Sequence, residues 1–321
     1  REARLAARRP ARWPARAPGL DVVGCGFHAP TLTSRACLFD TSEAASTWTN
    51  PYYPNISYTI PKNFWASDTP ESTLLNSSVV LESVNDYVEH SYWTEHHHSS
   101  GFMGFGSKTE DKTTERYYRN LYAHRYYLSL SMRQVSWFTL QMMEFPLPAF
   151  GATFQAALDA LPHAYNGSDP TCKVMFEQFF EAFGTSVVVK ADMGGLVWAE
   201  SWFESCLSER YSDTCITEET TRGWVVFHKH HRKHDCDKRI TQDFKNYSTR
   251  HFEMYGGTAK VNISDWADWA LTVKNDPRPV SYDIVPIHYL LPGASRVKEA
   301  LARATDAFLR GAAAEQHRTI D

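Results

Sequence analysis

The 321-residue chain has no run of about 18 apolar residues, which excludes a preformed transmembrane helix. It also lacks a large charge of one sign. A formal net charge of −4 argues against a dedicated nucleic-acid binder. No P-loop, G-x-S-x-G, H-E-x-x-H or dinucleotide-binding pattern occurs. Asp192, Asp265, Asp268 and the residues around Cys236 fall into no spacing that a particular reaction requires. An enzyme is therefore not expected, and neither is a cofactor or a metal site. No internal repeat of roughly 20–50 residues is present, which leaves out solenoids and propellers. The first twenty residues carry six arginines but no continuous apolar stretch. Residues 1–19 read as a disordered basic arm, not as a signal sequence.

What is present points to a folded protein of an oxidising compartment. With 43% hydrophobic and 14% aromatic residues the chain can bury a sizeable core. Sequons stand at Asn55, Asn76, Asn166, Asn246 and Asn262. Cys25, Cys37, Cys172, Cys206, Cys215 and Cys236 make an even set of six cysteines. Together they indicate a secreted or vesicle-lumenal protein. Six cysteines allow 15 pairings. Short separation favours Cys25–Cys37 and Cys206–Cys215, leaving Cys172 with Cys236, a bridge that would tether the segment around Cys236 to the body.

Along the chain, Leu20 to Cys25 reads as a first short strand, and residues 41–80 as loops with short strands. From Glu115 to Met143 the pattern has period two. Tyr118, Tyr122, Tyr126, Leu128, Leu130 and Met132 share one parity, and Arg119, Arg125, Ser129, Ser131 and Arg133 the other. This is a long strand with one apolar face. Residues 150–183 read as helical, with Phe154, Ala157, Leu158 and Leu161 at i, i+3, i+4 and i+7, split by a turn at 166–170. Thr185 to Cys206 is a second long strand, and residues 250–263 are strand-like. Residues 264–271 suggest a Ser-capped helical turn, and 294–310 an amphipathic helix.

The most informative stretch is Phe183 to Gly195, FGTSVVVKADMGG. Val187, Val188 and Val189 favour extended backbone, and Gly194-Gly195 then interrupts the strand. Two glycines there are costly unless a bend, bulge or close backbone contact needs them. The spacing resembles the signature of the membrane-attack-complex/perforin family: aromatic, Gly, Thr or Ser, His, aromatic, six residues, Gly-Gly. Phe183, Gly184, Thr185, Gly194 and Gly195 match it. Ser186 stands where the family usually has His, and Val187 where it has an aromatic residue. Leu147, Phe150, Leu161 and Pro162 upstream, and Tyr255, Gly256, Gly257, Trp266, Trp269, Pro279 and Pro286 downstream, follow in the family's order. The resemblance covers about residues 20–310.

It implies an α+β fold, a bent four-stranded antiparallel sheet flanked by two helical clusters, as in perforins and cholesterol-dependent cytolysins. Residues 20–310 would form this domain and 311–321 a C-terminal tail. Gly194, Gly195, Gly256 and Gly257 would bend the sheet. The implied function is a secreted pore former that oligomerises on a lipid membrane and inserts two β-hairpins per subunit, from segments near 95–125 and 208–250. Phe102, Met103, Phe105, Tyr118, Tyr122, Tyr126, Trp224, Val226, Ile240 and Phe244 are the membrane-insertion candidates. Family members usually carry a further membrane-targeting module, expected to be absent from this chain.

Two features complicate that expectation. On the second segment Ile240, Phe244, Phe252 and Met254 share a parity that Gln242, Asn246 and Arg250 interrupt, whereas a spanning strand alternates. The rival is a non-lytic secreted binding or adhesion protein of the same fold. The second feature is histidine: His96, His97, His98, His228, His230, His231 and His234 crowd the two segments. Free His titrates near about 6.5, so acid could charge these segments and trigger insertion. The alternatives are a solvated polar face or metal binding.

Overall fold

Two long runs rich in β-branched and aromatic residues make the spine of the fold. In the computed structural model, which describes residues 15–29, 33–68, 76–81, 126–223, 236–258, 266–293 and 295–320, these runs pair antiparallel. In chain order the strands are β1 Ala15–Arg16, β2 Cys25–His28, β3 Thr33–Cys37, β4 Ala44–Thr49, β5 Ser57–Pro61, β6 Phe64–Asp68, β7 Asn76–Leu81, β8 Tyr126–Met142, β9 Ser186–Glu204, β10 Ser248–Tyr255 and β11 Arg278–Pro286. The helices are α1 Ala152–Ala160, α2 Pro170–Phe183, α3 Asp213–Thr221, α4 Ile240–Tyr247, α5 Trp266–Val273 and α6 Arg296–Ile320.

β8 and β9 pair from Tyr126 opposite Glu204 to Gln141 opposite Lys190. The outer side of β8 carries β6 along one half and β7 along the other. The far side of β9 carries β11 and then β10 in the same way. β2 prolongs the line of β8, pairing with Ser186 and Val187. The sheet thus has four strand positions, one outer one built from β10 and β11 and the other from β6, β7 and β3, which pairs with β2. β1, β5 and β4 form a separate small sheet.

The largest core lies where β2, β9 and β11 meet α1, α2 and α6, around Phe154, Phe176, Phe180, Val187 and Leu301. α2 begins where the sequence supplies a start: Asp169 accepts from the Thr171 amide at 2.9 Å and Pro170 occupies the first turn.

Three expectations are corrected. The fold begins earlier than residue 20: β1 pairs with β5, Ala17 is buried, and the Arg16 guanidinium donates to Thr41. Residues 20–24 are turns, with strand only from Cys25, because Gly19 and Gly24 sit at φ +90° and +85°. The last helix continues through the expected tail to Ile320. A fourth finding concerns β8, whose polar parity is as buried as its apolar one. Ser129, Ser131 and Arg133 are each no more than 2% exposed. Thr220 on α3 donates to Ser129 at 2.8 Å, and the Arg133 guanidinium lies 4.3 Å over the Trp266 ring. Among the described residues no helix is long and apolar enough to cross a membrane, which says nothing of strands.

Candidate functional site

Phe183, Gly184 and Thr185 dock the end of α2 onto β2. Gly184 has φ +79°, and a Cβ there would lie 2.4 Å from the Phe27 carbonyl oxygen. The Thr185 amide donates to that same oxygen at 3.0 Å, and its side chain is fully buried. A hydroxyl suits the position because it also accepts from the Ala29 amide at 3.4 Å.

Gly194 and Gly195 serve two different contacts. A Cβ on Gly194 would sit 1.9 Å from the Val135 carbonyl oxygen of β8. One on Gly195 would sit 2.6 Å from Val273 and 2.7 Å from Trp269, both on α5. Gly256 and Gly257 close the arrangement at φ +76° and +70°. A Cβ on Gly256 would meet the Gly194 carbonyl at 2.6 Å, and one on Gly257 would meet Trp269 at 3.0 Å. Gly195 and Gly257 therefore flank one fully buried tryptophan, Trp269, while Gly194 and Gly256 close against backbone. Both neighbours of β9 shift register at this level, β8 between Ser136 and Phe138 and β11 between Pro279 and Ser281. Such irregularities bend a strand and increase its twist. Asp192, adjacent in β9, accepts from Thr139 on β8 and Ser281 on β11, each at 2.7 Å. Its carboxylate ties three strands together beside the junction.

Below the junction α3 and α4 cover the β9–β10 end of the sheet. Ile240 and Phe244 are both 2% exposed, and Phe244 packs with Phe203, Leu207 and Ile216. Glu219 is buried and accepts from Arg222 at 2.7 Å and Thr241 at 3.0 Å. Tyr211 donates to Asp243 at 2.7 Å. Beside this apolar cluster, Thr220 on α3 meets the sheet through its hydroxyl contact with Ser129.

Tyr126 begins β8 and is half-buried. Phe102, Met103, Phe105, Tyr118, Tyr122, Trp224 and Val226 lie outside the described residues, as do His96, His97, His98, His228, His230, His231, His234 and Asn262. Asn55, Asn166 and Asn246 are exposed, and Asn76 opens β7.

The cysteines are connected as Cys25–Cys37 and Cys215–Cys236. The first bridge joins β2 to β3, as short separation predicts. The expected Cys206–Cys215 and Cys172–Cys236 bridges do not form, and Cys172 and Cys206 are free thiols. Cys172 is buried, its thiol donating to the Ala164 carbonyl, while the packing of α3 against α4 brings Cys215 to Cys236. No tether to the body results.

One buried titratable group escaped the sequence reading because it stands alone, far from the histidine clusters. His28, 3% exposed, ends β2 at 3.7 Å from Glu181 and edge-on to Phe308. Burial lowers its pKa despite Glu181, and burial also lowers that of His288. Below the ordinary value of 6.5 the unfolded chain then binds more protons than the native one. Stability should be complete above that pH and fall as pH drops through 6.5 toward the lowered folded values. The slope is at most about 1.4 kcal/mol per pH unit for each group. Melting temperatures at pH 7.5 and 5.5 measure it, and His28→Gln should flatten the profile.

Among the described residues no three His, Cys, Asp or Glu side chains are grouped to hold a metal. A family model for the MAC/Perforin domain matches residues 16–317. Perforin-1 from Homo sapiens is 24% identical over 190 residues, covering 50% of this chain and 33% of that protein. Perforin-1 from Mus musculus is 21% identical over 196 residues, covering 53% and 34%. The chain thus spans about a third of the length of the curated relatives it matches. The crystal structure of GNIP1Aa from Chromobacterium piscinae has the same fold, with a TM-score of 0.62 at 14% identity. That match covers 92% of this chain and 56% of the other.

Proposed function

This chain belongs to the MAC/perforin family, and from that premise we propose that it forms membrane pores. Subunits associate on a lipid surface, and two segments of each convert into β-hairpins that close into a shared barrel. A closed barrel satisfies every backbone group in lipid, which an isolated hairpin cannot. Two disulfides and three exposed sequon asparagines support action outside the cell or in a vesicle lumen.

The observation that carries this reading is topological. β7, β8, β9 and β10 lie side by side, and the connections 82–125 and 205–247 join β7 to β8 and β9 to β10. Each is therefore the link of an antiparallel pair, and extending the ladder turns it into a hairpin without rethreading the chain. Their lengths, 44 and 43 residues, are matched. Each arm would have about 22 residues, where crossing the bilayer takes roughly 9–11. Matched arms let both hairpins reach the same depth.

Locking α3 to the sheet tests the proposal. A Ser129→Cys/Thr220→Cys variant replaces the 2.8 Å hydroxyl contact with a bridge. Its oxidised form should leak dye from phosphatidylserine-containing vesicles about tenfold or more slower than wild type, as expected if the cross-link holds the cluster closed. Reductant should return it to the rate of equally reduced wild type. Equal leakage by locked and unlocked protein would refute conversion of the second segment. The alternative, a non-lytic binding or adhesion protein, is favoured by Gln242, Asn246 and Arg250 on the apolar parity. It predicts vesicle binding with no leakage by either form.

A further inference from the structure

The disulfide in the α3–α4 cluster matches the register of the sheet beneath it. β9 and β10 pair over eight unbroken rungs, from Tyr255 opposite Leu196 to Ser248 opposite Phe203. Each step forward on one strand is a step back on the other. Twelve residues beyond Phe203 stands Cys215, and twelve residues before Ser248 stands Cys236. Prolonged without a slip, the ladder places these two cysteines directly opposite each other. Because twelve is even, both point to the face that Phe203 and Ser248 occupy.

We propose that Cys215–Cys236 is a register clamp, kept intact while the cluster converts and becoming a cross-strand rung of the second hairpin. The inference rests on the hairpin reading above. Geometry permits it. The bridge spans 5.9 Å between Cα atoms, and directly opposed residues of an antiparallel pair stand about 4.5–5.5 Å apart. Disulfides accept about 4.4–6.8 Å, so the rung forms with little adjustment.

The same register places apolar residues on the face of the cysteines, interrupted by Glu209 opposite Gln242 and Ser205 opposite Asn246. It sets Leu207 against Phe244, Tyr211 against Ile240 and Asp213 against Lys238 on the face of the cysteines. Leu207, Phe244 and Ile240 are apolar and already buried in the helical form, so one set of side chains serves both forms. Asp213 and Lys238 bring opposite charges together, a favourable cross-strand pair.

Partner choice matters. Cys206 would face Lys245 in this ladder, so a bridge to it is not a rung. A Cys206–Cys215 bridge would join positions about 30 Å apart along one extended arm and forbid the strand altogether. The observed pairing keeps the hairpin available. It also closes the loop in advance, which lowers the entropy cost of zipping the arms. A one-residue slip would turn every side chain to the other face, and the clamp blocks that slip far from the sheet.

The test uses the full chain on phosphatidylcholine/phosphatidylserine vesicles without reductant. After leakage, iodoacetamide blocks free thiols, and peptides from the vesicle-bound oligomer are mapped unreduced. The Cys215–Cys236 peptide should remain linked. A Cys215→Ser/Cys236→Ser variant, whose Cys25–Cys37 bridge is untouched, should leak about tenfold more slowly because loop closure is no longer prepaid. Leakage that requires reductant, alkylated Cys215 and Cys236 in the oligomer, or a double variant faster than wild type would overturn the clamp but leave the hairpin standing. Absence of both leakage and oligomers, with and without reductant, would instead sink the hairpin reading and the clamp with it.

Discussion

Gly194→Ala should cost about 3 kcal/mol or more, because the added methyl meets backbone that has no way to rotate aside. Its Cβ would stand 1.9 Å from the Val135 carbonyl oxygen and 2.9 Å from the Ser136 Cα. Relief requires β8 and β9 to separate at their register shift, where the ladder is already irregular. Elsewhere a compatible Gly→Ala change commonly stabilises by about 0.4–1 kcal/mol, by restricting the unfolded chain. Gly293→Ala supplies that contrast, since nothing lies within 4 Å of its Cβ. Urea midpoints should fall steeply for the first variant and barely move for the second. Similar midpoints would mean that the junction is looser than its contacts indicate.

Trp269→Ala should be comparably severe, at about 3–5 kcal/mol for a fully buried aromatic residue. The ring fills the space that Gly195 and Gly257 leave, and Val135, Val197 and Val273 close around it. The junction predicts a coupling as well. Gly195→Ala alone pushes a methyl to 2.7 Å from the indole. Shortening the indole in Gly195→Ala/Trp269→Leu makes room, so the double variant should lose less stability than the two single changes added together. Strict additivity would show that the glycine and the ring do not share one space. Loss here should reach the proposed pore as well, because the junction holds the pieces of strand from which both hairpins would extend.

Much of this was legible before any coordinates. The strand from Val187 onward announces itself by β-branching, and the split between α1 and α2 by Asp169 and Pro170. The glycine pairs were legible as places of close approach, because glycine inside a strand needs a reason. What they approach was not. A sequence pattern reports which positions are special, whereas Trp269 lies 74 residues from Gly195 and reaches it only through the packing of α5. The polar parity of β8 illustrates the same limit. Alternation distinguishes Ser129, Ser131 and Arg133 from Leu128 and Leu130, yet it does not say that α3 and α5 cover the polar side.

Cys25–Cys37 pairs as expected, but the other two pairings failed for a related reason. Separation along the chain estimates the entropy of closing a loop, and that term favours Cys206–Cys215 over Cys215–Cys236 only weakly. Helix packing decides the matter, since α3 and α4 set Cys215 beside Cys236. The numbers that align those cysteines with the β9–β10 ladder were always in the sequence, but the register that gives them meaning was not.

The sequence by itself determined the family and the fold class, because local propensity and glycine spacing act over a few residues and leave a readable trace. It also pointed to two connecting segments, near 95–125 and 208–250. Only the tertiary structure decided which strands those connections join, what the glycines touch, which cysteines bond and that His28 is buried. Those are contacts between distant residues, set by packing and by ladder register, and no window along the chain contains both partners.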